Sequence, residues 1–576
     1  NGEWVLYLEV PQDGEADLIV KSLKDNREYR HTIGYTGDGT DAEDAAKAQF
    51  SYEASHVGFL VSPSQAEVKK YKKAEKKKKA KDKDKPLKKL GIMNLADGKV
   101  TITERIKSFK MPQEAGGWLA YLKEAPPKPD KKKEEKGKEE KKEEKGETVK
   151  KEKGEEKKET KGKEEEKTKD KKKKKKKYGT QLVLRSLKDG KEKVFEDVLL
   201  YYFSKNGKHF FYIVSSKKKP ESNGVYKHTP GSERTAALLS GKGSYKKFAM
   251  NKKETMLAFL TDRDDAEADE PTFNLYGCKI EASQAALWVS HKKTKHFPQG
   301  MAVSDKSDVS FSEDGRVVMF GIKEIPEPAK EDDEAEEEAK FDLWHWNDPY
   351  PQPQQKKMAK KVRDNTWESV YHIKSKTFVK LADKDIPDIE LNRSGKSAYA
   401  ETILPYTKYV SFYGSFYDAY VIDVKSGKRT LVKKKLYDGG GLTPNGKYVC
   451  WFEDKNWFAY NTKTKITKNL TAGLDVRFER EDWDTPNPAG AYGFMGVTDN
   501  DAAILVYDRC DIWELTLDGS KARRITEGYG RKHNISFRYV KLDPEEITIN
   551  PQKPLLLSAT HRDTMAGGFY RDQDRH

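Results

Sequence analysis

Gly441-Leu442-Thr443-Pro444-Asn445-Gly446-Lys447-Tyr448-Val449-Cys450-Trp451-Phe452 decides the fold: a hydrophobic residue, a polar turn closing on Gly with a basic residue after it, then an alternating strand. The same arrangement stands at Phe203-Ser204-Lys205-Asn206-Gly207-Lys208, Phe311-Ser312-Glu313-Asp314-Gly315-Arg316 and Leu391-Asn392-Arg393-Ser394-Gly395-Lys396. Asn-Gly and Asp-Gly supply the positive backbone angles that a tight hairpin needs. A unit of this size cannot bury both faces of its own sheet, so repetition implies neighbours stacked around an axis, the blades of a propeller.

A second element pairs with the first, an alternating strand ending in a short turn before another strand. It reads Asp17 to Leu23, Gly91 to Val100, Gln181 to Lys191, Asp418 to Lys428, Trp457 to Lys463 and Asp511 to Gly519. Two strands of each kind make a four-stranded antiparallel blade. Setting aside two Lys-rich insertions leaves about 500 residues, and at roughly 40 to 60 residues per blade this predicts an all-β propeller of seven or eight blades, WD40-like or TolB-like, with room for an incomplete last one. The expected organisation is one propeller domain over residues 1–576, with insertions at 69–89 and 128–177. Glu43 to Phe50 is expected as one short helix and Gln354 to Asp364 as another.

Charge is high but local. Of 576 residues 36% are charged, and the formal net charge is +16. Lys69 to Lys89 holds thirteen Lys against Glu75, Asp82 and Asp84, and Lys128 to Lys177 holds twenty-five Lys against sixteen acids. Without these tracts the chain is close to neutral, so it has no global basic character and no nucleic-acid partner is expected. The tracts are nearly free of apolar residues, cannot offset the entropy of ordering, and are expected to be solvated insertions. No apolar run approaches the roughly 20 residues of a membrane span. The chain opens on Asn1 with the strand Trp4 to Leu8 already under way, which reads as a cut N-terminus.

The motifs that could carry chemistry read as structure. Gly441 to Tyr448 nearly matches a phosphate-binding loop, but Tyr448 replaces the hydroxyl that would hold Mg²⁺ and a strand follows where a helix is needed. No Gly-x-Ser-x-Gly nucleophile turn occurs; Gly243-Ser244 and Gly414-Ser415 are ordinary turns. His291 with His296, and the isolated Trp344-His345-Trp346, lack the spacing of zinc ligands. The acidic runs Asp262 to Glu270 and Glu331 to Glu338 lack the spacing and central Gly of a calcium loop. Cys278, Cys450 and Cys510 read as buried thiols. No catalytic residue, metal ligand or cofactor is expected, and no substrate-binding residue is assigned. Most distinctive is Phe478-Glu479-Arg480-Glu481-Asp482-Trp483-Asp484-Thr485-Pro486, followed by Tyr492-Gly493 and Leu505 to Trp513. There Asp508 and Arg509 read as an ion pair between blades, with substrate contact as the alternative.

At these residues the chain resembles the propeller portion of the prolyl oligopeptidase family of serine peptidases, in a bacterial branch related to the dipeptidyl-peptidases. The resemblance is carried in order by Gly2 to Tyr7, Ser108-Phe109-Lys110 with Gly117 to Tyr121, and Gly179 to Arg185. It continues through Leu343 to Pro349, Tyr507 to Trp513, Thr526 to Arg531 and Phe537 to Val540. It implies a propeller that gates access to a following α/β-hydrolase domain, with peptide substrates. That domain is expected outside this chain, so no triad residue carries over, and the paired glutamates of dipeptidyl-peptidases have no match. The segment alone is therefore expected to be inactive. An exported or periplasmic location is implied by the resemblance only. A free-standing propeller scaffold that binds a protein partner stays open beside this reading.

Overall fold

The computed structural model describes residues 2–12, 14–37, 47–76, 84–126, 176–268, 270–326, 344–437 and 439–572. The expected insertion at 128–177, apart from its last two residues, and the acidic run Glu331 to Glu338 lie outside them. Every sheet is antiparallel and almost all run up and down in chain order, so the all-β propeller class follows from the pairing itself. Nine sheets form among the described residues. Two compact units carry them, residues 1–242 and 243–576.

The first unit holds a three-stranded sheet from Trp4–Glu9 to Glu28–Gly34 and a four-stranded one from Ala48–Phe50 to Val100–Thr103. Its third sheet has seven strands, Ile106–Lys110 through Thr235–Ser240, and reads as two repeats joined by the twelve-residue strand Glu192–Phe203. That strand pairs on both sides and breaks register at Asp197, whose φ is +54°. The second unit holds six sheets, starting at Tyr245–Met250, Met301–Val303, Asp388–Leu391, Gly441–Leu442, Phe494–Val497 and Ile535–Tyr539.

Each core lies between consecutive sheets, because successive strand residues point to opposite faces and both faces are covered. Along Ala503–Tyr507, Ile504 and Val506 pack towards Trp457 and Ala459 of the preceding sheet. Leu505 and Tyr507 pack towards Phe537 and Leu557 of the following one. Along Tyr448–Glu453, Val449 and Trp451 face Ala419 and Val421, whereas Cys450 faces the sheet after. All five residues of Ala503–Tyr507 are buried, the two-sided burial that made these strands read as apolar on both sides. Cys278, Cys450 and Cys510 are buried, as their strand contexts suggested.

Helices lie off the sheets. Helix α1, Gln65–Lys76, opens on a capping box in which the Ser64 N–H donates to Glu67 Oε2 at 2.8 Å and the Glu67 N–H to Ser64 Oγ at 3.3 Å. It covers the start of the tract 69–89, and none of its residues is buried; the tract's last residue, Lys89, already opens the strand Lys89–Asn94. Helix α2, Gln352–Arg363, stands two residues ahead of the expected Gln354 to Asp364 and is also unburied. The helix expected over Glu43 to Phe50 is corrected in its described part. Ala48–Phe50 is a strand paired with Val57, Gly58 and Phe59, a tertiary pairing that overrides an Ala-rich stretch. Among the described residues no helix is long and apolar enough to cross a membrane.

Candidate functional site

Two ends of the sheets in residues 243–576 differ in kind. At one end sit tight turns between first and second strands, in which a Ser, Thr or Asn side chain accepts the N–H five residues on. The bonds are Asn251 to Met256 at 2.9 Å, Ser312 to Val317 at 3.1 Å, Asn392 to Ser397 at 3.2 Å, Thr443 to Tyr448 at 3.1 Å and Thr498 to Ala503 at 2.9 Å. The turns touch in sequence order. A Cβ on Gly315 would stand 2.6 Å from Nδ2 of Asn251, and one on Gly446 would stand 2.6 Å from Nδ2 of Asn392. Asp501 closes the ladder onto the turn before it: its carboxylate accepts from Thr443 Oγ1 at 2.6 Å, the Asn445 N–H at 3.1 Å and the Lys447 N–H at 3.2 Å. The stretch that nearly matched a phosphate-binding loop is thus a hairpin turn filled by a neighbouring carboxylate.

The opposite end gathers most of the long connections, 262–273, 290–300, 381–387, 403–415, 470–493 and 525–534, whereas 540–554 lies at the turn end, where the Ile549 N–H donates to the Val497 carbonyl at 2.9 Å. In the first unit the two Lys-rich insertions depart from equivalent places, between the second and third strands of a repeat, at 62–88 and 124–179. The long-loop end of residues 243–576 is the candidate site, because irregular connections on a rigid frame are where recognition usually resides.

Its centre is a carboxylate–arginine network built on the segment the sequence singled out. Glu481 receives Arg509 Nη1 at 3.2 Å and Arg531 Nη2 at 2.9 Å. Burial works against its charge, yet Arg531 and Arg509 hold the Glu481 carboxyl below the ordinary glutamate range. Asp482 pairs with Arg562 at 3.4 Å. The expected Asp508–Arg509 pair is replaced by a different division of labour. Arg509 goes to Glu481, whereas the fully buried Asp508 accepts the N–H groups of Cys510 at 2.7 Å and Asp511 at 2.8 Å, and Trp513 Nε1 at 2.9 Å. Asp511, also fully buried, takes Thr526 Oγ1 at 2.7 Å and the Gly530 N–H at 2.9 Å. Two short turns are thereby locked, and Arg531 is aimed at Glu481.

Beside this network Asn487 Nδ2 donates to the Tyr437 hydroxyl at 3.0 Å. Tyr437 packs edge-on against Phe416, and Lys435 lies 5.4 Å from the ring centre of Tyr409 and 5.2 Å from that of Phe416. From this aromatic base Phe412 stands 84% and Tyr413 64% exposed. Within Leu404 to Phe416 the sequence singled out only Gly414-Ser415, as an ordinary turn; the density of Tyr and Phe around it was the available signal.

Other sequence candidates are not brought together. Asp264 is tied to Tyr276 at 2.6 Å and Asn274 at 2.8 Å, and Asp265 to Thr272 at 2.7 Å, so this acidic loop satisfies itself. Among the described residues no group of three metal-ligating side chains converges. Gly243-Ser244 and Gly414-Ser415 are loop residues. Ser55 Oγ lies 2.8 Å from Nδ1 of His56, its chain neighbour, and 2.8 Å from Glu53, within a tight turn of the first unit.

No family model matches the sequence, and no curated protein matches it. Among solved structures the chain is similar to dipeptidyl peptidase 4 of Porphyromonas gingivalis at 13% identity and a TM-score of 0.32, over 67% of this chain and 56% of that one. The propeller domain of the Trilobed protease from Pyrococcus furiosus gives 7% identity and a TM-score of 0.26, over 75% and 95% of the two chains. A prolyl endopeptidase gives 13% identity and a TM-score of 0.31, over 80% and 53%. The chain thus spans about half the length of the prolyl endopeptidase and dipeptidyl peptidase it resembles. The superpositions are loose, and the fold class stands on the sheets themselves.

Proposed function

We propose that this chain is the substrate-gating propeller of a serine peptidase of the prolyl oligopeptidase family, acting with an α/β-hydrolase domain that performs acyl transfer. The observation that carries the reading is the uneven distribution of connections in residues 243–576: five tight turns linked in order at one end, and most of the long charged and aromatic loops at the other. A gate needs such a division, because its frame must hold while one face meets peptide and catalytic partner. The ordered sequence resemblance supports the same role. Peptides and unstructured termini are the substrates this reading selects, and nucleophile, base and oxyanion donors belong to the hydrolase domain.

The test compares the 576-residue chain alone with the same chain followed by its natural downstream region, using a fluorophosphonate probe and a short peptide substrate. The longer protein should label covalently and cleave the peptide much faster than a folded protein; the chain alone should do neither. Labelling of the chain alone, at Ser55 or elsewhere, overturns the assignment. So does a downstream region without hydrolase activity, which favours the scaffold reading.

A further inference from the structure

On the strand Tyr245–Met250 both lysines find carboxylates. In residues 243–576 Lys246 reaches Asp305 at 2.7 Å and Lys247 reaches Asp308 at 2.6 Å. The corresponding place in residues 1–242 is occupied differently. Lys47, immediately before the strand Ala48–Phe50, places its Nζ 3.2 Å from the Phe109 carbonyl and 5.3 Å from the Phe109 ring centre. Lys110, at the end of Ile106–Lys110, places its Nζ 3.0 Å from the Tyr201 carbonyl and 4.5 Å from the ring centre of Tyr202.

Neither ammonium has a carboxylate within ion-pair distance among the described residues. Lys47 is exposed, but Lys110 is half-buried, and a half-buried lysine without a carboxylate is uncommon, since burial of the charge is ordinarily matched by a partner. Burial pulls the Lys110 ammonium below the ordinary lysine range, and Lys47 adds repulsion. Both heads are nonetheless held in place by carbonyl oxygens and ring faces, which orient a cation without neutralising it. Ser108 lies on the same face of its strand as Lys110, two residues away, and its hydroxyl is 3.1 Å from that of Tyr201. One of these two hydroxyl protons serves their mutual bond, which leaves the other to donate.

We infer that Lys47 and Lys110, with the Ser108–Tyr201 hydroxyl pair, form a carboxylate-binding site in residues 1–242 that takes the free C-terminal carboxylate of a peptide. Lys110 and the hydroxyl pair share one face, where Lys110 Nζ also lies 5.3 Å from the Tyr201 ring centre, and together with Lys47 against Phe109 they complement a planar anion with two oxygens. The choice of a peptide carboxylate rests on the peptide-gating reading above; the anion preference rests on the geometry alone.

The experiment is fluorescence anisotropy of an N-terminally labelled, otherwise uncharged hexapeptide, prepared as the free acid and as the C-terminal amide, with the full 576-residue chain. The free acid should bind about tenfold more tightly than the amide. Lys110→Gln should remove that preference, and Lys110→Arg should keep part of it. Lys47→Gln, at an exposed position, should reduce it and serves if Lys110→Gln fails to fold. Acetate should displace the free acid at least as well as inorganic phosphate. Equal binding of acid and amide, a preference that survives in the folded Lys47→Gln/Lys110→Gln chain, or displacement by phosphate at tenfold lower concentration than acetate overturns the site. The readout is binding without hydrolysis, so failure here leaves the fluorophosphonate result standing, and failure there leaves this one.

Discussion

Ala54 has a φ of +50° in a position where most repeats place Gly. In the equivalent turns Gly207, Gly315, Gly395 and Gly446 adopt the left-handed conformation, and Glu254 and Asp501 adopt it too, at +52° and +56°. For Ala that conformation costs about 1–2 kcal/mol, of which the extra chain entropy of Gly would return part. Ala54→Gly should therefore raise the unfolding free energy by about 0.5–1 kcal/mol, measured by urea titration; a loss of stability would show that Ala54 makes a contact worth more than its strain. Asp501 is the contrasting case, because its carboxylate serves three donors of the neighbouring turn. Asp501→Ala should cost about 3 kcal/mol by the same measurement. These residues also mark where sequence reading stops. The turns at Gly207, Gly315, Gly395 and Gly446 were legible from residue type. Those at Ala54, Glu254 and Asp501 were not, since there the conformation is imposed by the side-chain bond to Ser51, Asn251 or Thr498 and not by the residue itself.

At the scale of elements, the connection 470–493 is held by Glu481 to two arginines from two different turns. Glu481→Gln keeps the shape and removes the charge, leaving Arg509 and Arg531 without their shared anion. Discounted for partial exposure, the expected loss is about 1–2 kcal/mol, with faster proteolytic cleavage inside 470–493 as the local readout. The pH dependence has a definite sign. A carboxyl lowered in the folded state contributes stability above its unfolded value, 4.5, and loses it as pH falls through the folded value. The native chain should thus lose more stability between neutral pH and pH 4 than the Glu481→Gln chain; equal losses would place the anchor elsewhere. The run Glu479 to Asp482 was visible as a distinctive charged stretch. Its partner Arg531 was not, because fifty residues and a whole sheet separate the two and only the fold brings them together.

For the whole molecule, the repeat divides the chain into a frame and its appendages. Helix α1 buries no residue fully, with Gln65, Val68, Tyr71 and Ala74 half-buried along one face, and it opens on its own capping box. Replacing residues 65–76 with a short Gly-Ser linker should leave the thermal midpoint within about 1–2 °C, since none of these residues is fully buried and loop-closure entropy changes slowly with length. A larger fall in calorimetry would mean that the segment packs. The same logic explains why the all-β class could be read from the chain while the seven-stranded sheet could not. Glu192–Phe203 carries no turn signal at its midpoint, and the break at Asp197 depends on a backbone angle that Asp seldom announces.

The turn ladder also bears on how such a chain can diversify. Each of the turns from Asn251 to Asp501 touches its neighbour, so lengthening one of them would push two repeats apart at once, whereas the connection between second and third strands leads away from the ladder. Descendants of an ancestral repeat can accordingly acquire lysine-rich, acidic or aromatic extensions at that single station, one copy at a time, and exchange their clientele while inheriting the frame unaltered.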